Sequence, residues 1–174
     1  MSERHIENNS GCCLSKSRPE DLIADISAAL NKAGYHLSIA ESCTGGLLGN
    51  FLTDMPGSSK WFAGGAIVYN NYLKTSLLNV DENTLRKKGA VSRECVLEMV
   101  EGVATLCATD VGIAVSGIAG PGGGSEDKPV GTVFIAWKLN SDKWAKRFLF
   151  SGSRKDIKHT SVLHALAVLR DAMK

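Results

Sequence analysis

Apolar positions recur at helical spacing soon after residue 18, and the pattern then switches repeatedly between helix and strand. Leu22, Ile23, Ile26, Ala29 and Leu30 share one helical face, and Gly34 follows where a left-handed residue can end the helix. YHLSIA, 35–40, reads as a buried strand. Thr44 to Leu52 suits a helix, DMPGSS is turn chemistry, and the run AIVY, 66–69, predicts a second strand. Asn70 or Asn71 caps a short helix carrying Lys74 to Leu78. Ser92 is the N-cap of a longer helix whose Val96, Met99, Val100 and Val103 lie together, with Val91 and Val96 spaced as a hydrophobic staple. VGIAVSG, 111–117, is a continuous apolar run of the kind covered on both faces. GTVFIAW and WAKRFLF predict an antiparallel pair joined at Asn140 to Asp142, and a last helix runs from about Lys155. Helices interleaved with buried strands imply an α/β domain, a three-layer α/β/α sandwich around a central mixed sheet.

Residues 1–18 lack either periodicity and are polar, which predicts a mobile tail ahead of one domain over 19–174. A chain of 174 residues buries a full core without disulfide staples. The five cysteines, Cys12, Cys13, Cys43, Cys95 and Cys107, form no CxxC pair, and no signal-peptide pattern precedes them, so a reducing cytoplasm is expected. No apolar run approaches the roughly 20 residues of a membrane span. The net charge of +2 arises from acids and bases spread evenly, which argues against a nucleic-acid face and leaves small anionic molecules as partners. Many of the 18 glycines cluster at 45, 64 and 122, where backbone can approach a ligand.

Three polar, glycine-rich stretches, ESCTGG, YNNYLK and SGIAGPGGG, follow predicted strands, and in open α/β sheets ligands lie beyond the strands' carboxyl ends. In ESCTGG either Ser42 or Cys43 can be the nucleophile, or Ser42 caps a helix and Cys43 is merely small and buried. Glu41 is either structural or orients a partner. His5, His36, His159 and His164 all fall outside the glycine-rich loops, which disfavours a Ser-His pair. A lysine whose pKa burial has lowered is the alternative base; Lys74 fits, with Tyr69 as relay or support. Ser116, the loop glycines and Lys128 suit a phosphate or carboxylate, and Arg154 a two-pronged phosphate contact. Ser58 and Ser59 are turn residues that can also bind. The Walker ending and the dinucleotide fingerprint are both missing, and no His/Cys/carboxylate cluster has metal spacing, so neither cofactor nor metal is expected.

Several motifs together resemble one family: AESCTGG at 40–46, PGSS at 56–59, Y-x-N-x-x-K at 69–74, GAVS at 89–92, SGIAGPGGG at 116–124, KPVGTV at 128–133 and F-x-G-x-R at 150–154. The chain resembles the CinA C-terminal domain family, the nicotinamide mononucleotide deamidases also called PncC. The resemblance implies metal-independent hydrolysis of the carboxamide of nicotinamide mononucleotide to nicotinate mononucleotide and ammonia, in pyridine nucleotide salvage. It implies Ser42 as nucleophile, activated by Tyr69 and Lys74. Substrate contacts would come from Thr44, Gly45, Gly46, Ser59, Asn71, Ser116, Gly117 and Arg154, with N–H groups near Thr44 to Gly46 holding the oxyanion. Two departures stand out: Ser153 replaces the acidic residue common before the arginine, and Asn70 the commoner Ser/Thr after Tyr69. The resemblance further implies a homo-oligomer and the stand-alone form, without a fused N-terminal pyrophosphatase-like domain. A silent nucleotide-binding or partner-binding module linked to competence and damage responses is the competing reading, and a Cys43 thiol enzyme a third.

Overall fold

The structure is a computed structural model that describes residues 18–174. The expected tail therefore lies outside the described residues except for Arg18, whose guanidinium pairs with Asp21 at 3.1 Å on the surface. Elements run α1 (Pro19–Ala33), β1 (Leu37–Glu41), α2 (Leu47–Thr53), a 3₁₀ turn (Ser58–Lys60), β2 (Phe62–Ile67), α3 (Asn71–Leu78), α4 (Glu82–Lys88), α5 (Arg93–Cys107), β3 (Val111–Gly117), β4 (Thr132–Leu139), β5 (Asp142–Leu149) and α6 (Arg154–Ala172). Among the described residues no helix is long and apolar enough to cross a membrane.

The sheet order is β2-β1-β3-β4-β5, with β2, β1 and β3 parallel and β4 and β5 antiparallel, so the expected mixed sheet is present. Its two faces differ in side-chain size. Ile39, Ile113, Ile135 and Trp137 bury against Leu22, Ile26 and Leu30 of α1 and Val162, Leu166 and Leu169 of α6. The opposite face carries one alanine per strand in register, Ala66, Ala40, Ala114, Ala136 and Ala145. Small side chains there let α5 lie close, with Val96, Met99, Val100 and Val103 fully buried on that face. At Gly112 a Cβ would stand 2.9 Å from Val100 Cγ2. Hence the strands sit between two helical layers, the expected sandwich.

Several boundaries differ from expectation for local reasons. α2 begins at Leu47 rather than Thr44, because Gly45 and Gly46 adopt left-handed backbone (φ 62° and 96°) and turn the chain first. β2 lies at 62–67, earlier than AIVY suggests, because two glycines belong to the strand. Gly65 is obligatory in that place: a Cβ would stand 2.1 Å from the Ile39 carbonyl oxygen on β1. α3 starts at Asn71, with the Asn70 side chain accepting from the Leu73 N–H. α4 was not expected, since a surface helix without a single buried residue shows no apolar face to the sequence reader.

Candidate active site

Ser42 stands one residue beyond β1, and its N–H continues the ladder by donating to Val115 of β3 at 2.9 Å. The turn after it is fixed by Glu41, which is almost wholly buried. The Glu41 carboxylate accepts from the N–H groups of Gly46, Leu48 and Gly49 at 3.0, 3.1 and 2.9 Å, thereby capping α2. Its role is structural. A carboxylate with three such donors has its charge balanced by backbone dipoles and leaves no free helix terminus for a ligand.

Lys74 lies in α3, fully buried at 0% exposure. Its Nζ is 3.2 Å from Ser42 Oγ, and it donates to the carbonyls of Val68 at 2.7 Å and Tyr69 at 3.4 Å. It joins no ion pair among the described residues. Burial, the dominant cause, lowers its pKa from the ordinary lysine value. The thiols facing it stay protonated: burial pushes Cys43 up to about 12 and Cys95 up to about 11. The raised value disfavours a resting thiolate at Cys43, the form in which a thiol is most reactive. A hydroxyl beside a buried amine is the arrangement that can run serine-lysine acyl transfer.

The pair opens onto a cleft of about 290 Å³ whose wall includes Tyr69, Asn71, Ser116, Gly117 and Arg154, so five further expected residues converge with Ser42 and Lys74. The convergence follows from topology. Ser42, Tyr69 and Ser116–Gly117 all stand at the carboxyl ends of the three parallel strands, where the chain leaves β1 toward β2 on one side and β3 lies on the other. Individual roles shift, however. The Tyr69 phenol makes no bond to Lys74 or Ser42; it accepts from the Arg154 guanidinium at 2.9 Å, and only the Tyr69 carbonyl touches the amine. Arg154 also donates to Gly120, tying the glycine loop to Tyr69. Ser116 donates to the Ala90 carbonyl at 2.8 Å and so anchors the GAVS turn against β3.

Other expected residues fall outside the cleft wall. Ser59 sits before β2, and parallel pairing of Leu37 with Phe62 and Glu41 with Ile67 places it at the opposite end of the sheet. One five-residue strand separates the ends by roughly 16 Å. Lys128 donates to the Lys88 carbonyl instead. Thr44 is fully buried with its hydroxyl unpartnered among the described residues. The Gly45 N–H donates to Ser42 and the Gly46 N–H to Glu41, so neither amide is free to hold an oxyanion. Among the described residues the amides of Cys43 and Thr44 have no acceptor. Sequence reasoning missed the main-chain acceptors of Val68 and Tyr69, which leave no mark in residue type, while the wall residues Ala90, Val91 and Ile118 to Gly120 fall within the GAVS and SGIAGPGGG stretches it had singled out.

The fold and the buried Ser42–Lys74 pair define an α/β domain with a polar crevice at its switch point. The CinA C-terminal domain model matches residues 19–173, and the chain belongs to the CinA C-terminal domain family. It is 48% identical over 145 residues to a CinA-like protein of Desulfotalea psychrophila, covering 83% of this chain and 35% of that protein. A CinA-like protein of Syntrophotalea carbinolica is 42% identical over 151 residues, 87% of this chain and 37% of its own. The chain thus spans about a third of the length of these curated relatives. Among solved structures, the competence damage-inducible protein A of Klebsiella pneumoniae superposes with a TM-score of 0.86 at 36% identity, covering 89% of this chain and 96% of that one. The competence/damage inducible protein of Agrobacterium tumefaciens gives 0.85 at 38% identity, covering 89% and 94%.

Proposed function

We propose that the chain hydrolyses the carboxamide of nicotinamide mononucleotide, releasing ammonia and nicotinate mononucleotide. The observation that carries this reading is the Lys74 amine, buried without an ion pair among the described residues and 3.2 Å from Ser42 Oγ. Neutral Lys74 takes the Ser42 proton as Oγ attacks the amide carbon. The amides of Cys43 and Thr44, without an acceptor among the described residues, are the donors assigned to the developing oxyanion, in place of Gly45 and Gly46. Lys74 returns its proton to the departing nitrogen, ammonia leaves, and water activated by the same amine clears the acyl-enzyme. Tyr69 and Arg154 act as a linked pair at the mouth, binding substrate rather than relaying the proton. No step calls on a metal.

The test is ammonia release from nicotinamide mononucleotide in EDTA, with wild type beside Ser42→Ala. Turnover that survives chelation and is abolished in the variant is expected. Retained activity in folded Ser42→Ala sinks the assignment, and inactive but well-folded wild type points to a silent nucleotide-binding module.

A further inference from the structure

The sheet has two edges, β2 and β5, and they are guarded differently. β5 carries Asp142, Lys143, Lys146 and Arg147, and charge along an edge is a common protection against pairing with another chain. β2, FAGGAI, carries no charge and no proline, and among the described residues no element lies beyond it. Its one irregularity against β1 falls at its first residues, and Gly64 to Ile67 run in regular register. An apolar patch continues from this edge. Of the six large apolar side chains left exposed among the described residues, three stand within 67–72: Ile67 at 55%, Tyr69 at 59% and Tyr72 at 73%. Together they expose on the order of 300 Å² before the strand edge is counted, against the roughly 800 Å² that each partner gives to a standard interface. A patch of that size beside an unguarded edge marks a contact surface.

We infer that β2 pairs antiparallel with β2 of a second copy, and that the partner's Ser58–Lys60 turn completes the rim of each cleft. A neutral edge meets no like charge when it faces its own copy, and a twofold axis across it repeats the contact for both protomers. In its own chain the turn before β2 stays at the far end of the sheet. The partner's strand runs the other way, so its amino end comes to lie beside Tyr69 and Asn71 of the cleft wall. Ser59 and Lys60 are exposed, and their side chains have no hydrogen-bond partner among the described residues. The pairing stands apart from the mononucleotide reading, whereas the turn's effect on turnover rests on it. Light scattering is expected to give a dimer for wild type and for Leu149→Lys on the opposite edge, and a monomer for Ile67→Lys. Ser59→Cys combined with Asn71→Cys should give a covalent dimer with a short bis-maleimide, above the level of either single variant. In turnover of nicotinamide mononucleotide, Ser59→Ala is expected to lose about tenfold in kcat/KM. Co-expression of Ser59→Ala with Ser42→Ala should restore about a quarter of wild-type activity, because half the dimers are mixed and each of those holds one intact site. A monomeric wild type, or a dimer that survives Ile67→Lys, overturns the pairing. Absence of the cross-link, full activity in Ser59→Ala, or no recovery on co-expression overturns the turn's part in the site. Wild type that dimerises and cross-links without turnover leaves the pairing standing and sinks the mononucleotide reading instead.

Discussion

A protonated amine at Lys74 would sit in the protein interior with no carboxylate beside it, whereas a neutral amine donates to Val68 and Tyr69 and keeps its lone pair for the Ser42 hydroxyl. Desolvation thus favours the form that can act as base, and the lowered pKa follows from it. The sign for stability is definite. Between the lowered native value and the unfolded value of about 10.4, the unfolded chain binds more protons, so stability rises with pH across that window. Below the native value the full penalty of charging a buried amine remains. For activity, kcat/KM is expected to rise with pH to a plateau reached below the ordinary lysine value. Lys74→Arg keeps the charge and cannot lose it, so it should lose about 10²- to 10⁴-fold in turnover. A pH–rate profile with its inflection at the ordinary lysine value, or an active Lys74→Arg, would count against Lys74 as the base.

At the scale of elements, the position of α3 determines whether the amine meets the hydroxyl. α3 is held by α5 at Gly102, where a Cβ would stand 2.1 Å from the Leu78 carbonyl oxygen at the last residue of α3. Gly102→Ala must displace that turn, and a rigid helix carries the displacement back to Lys74. The expected effect is a loss of about 1–3 kcal/mol in urea denaturation, as for other overpacked contacts. A fall in kcat should accompany it, since the 3.2 Å separation has little slack. Unchanged stability and turnover would show that the contact relaxes without moving α3. None of this was legible in the sequence, where Gly102 is one residue inside a strongly periodic helix. What could be read was set by periodicity and capping: α1 with its Gly34 stop, α5 with its Ser92 cap, and the apolar run of β3. β2 was misplaced because Gly64 and Gly65 carry no strand signal, although the missing side chain of Gly65 is what lets β2 approach β1.

For the molecule as a whole, the meeting of Ser42, Lys74, Tyr69, Ser116 and Arg154 depends on three parallel strands ending at one edge, a relation that local patterns suggest only through the glycine-rich stretch after each strand. The same rule disposes of Ser59: its motif resembles the family's, but its place before β2 sends it to the far edge. Hydrogen-bond partners were beyond reach, so Glu41 was ambiguous and the contact of the Tyr69 phenol with Arg154 was not foreseen. A crevice preformed by these tertiary contacts exists only in the folded state, and ligand binding must therefore raise the unfolding temperature. At a nucleotide concentration a hundred times its dissociation constant the gain is about 2.7 kcal/mol. For a domain of this size that corresponds to roughly 5–11 °C. Ser42→Ala with nicotinamide mononucleotide should show this shift in full, in EDTA as well as without it, because the variant removes a hydroxyl used in bond making while leaving the cleft wall in place. A shift in the variant together with turnover in wild type separates catalysis from binding. A shift in both without turnover in either would make the crevice a nucleotide sensor, and the absence of any shift would mean that the ligand belongs elsewhere.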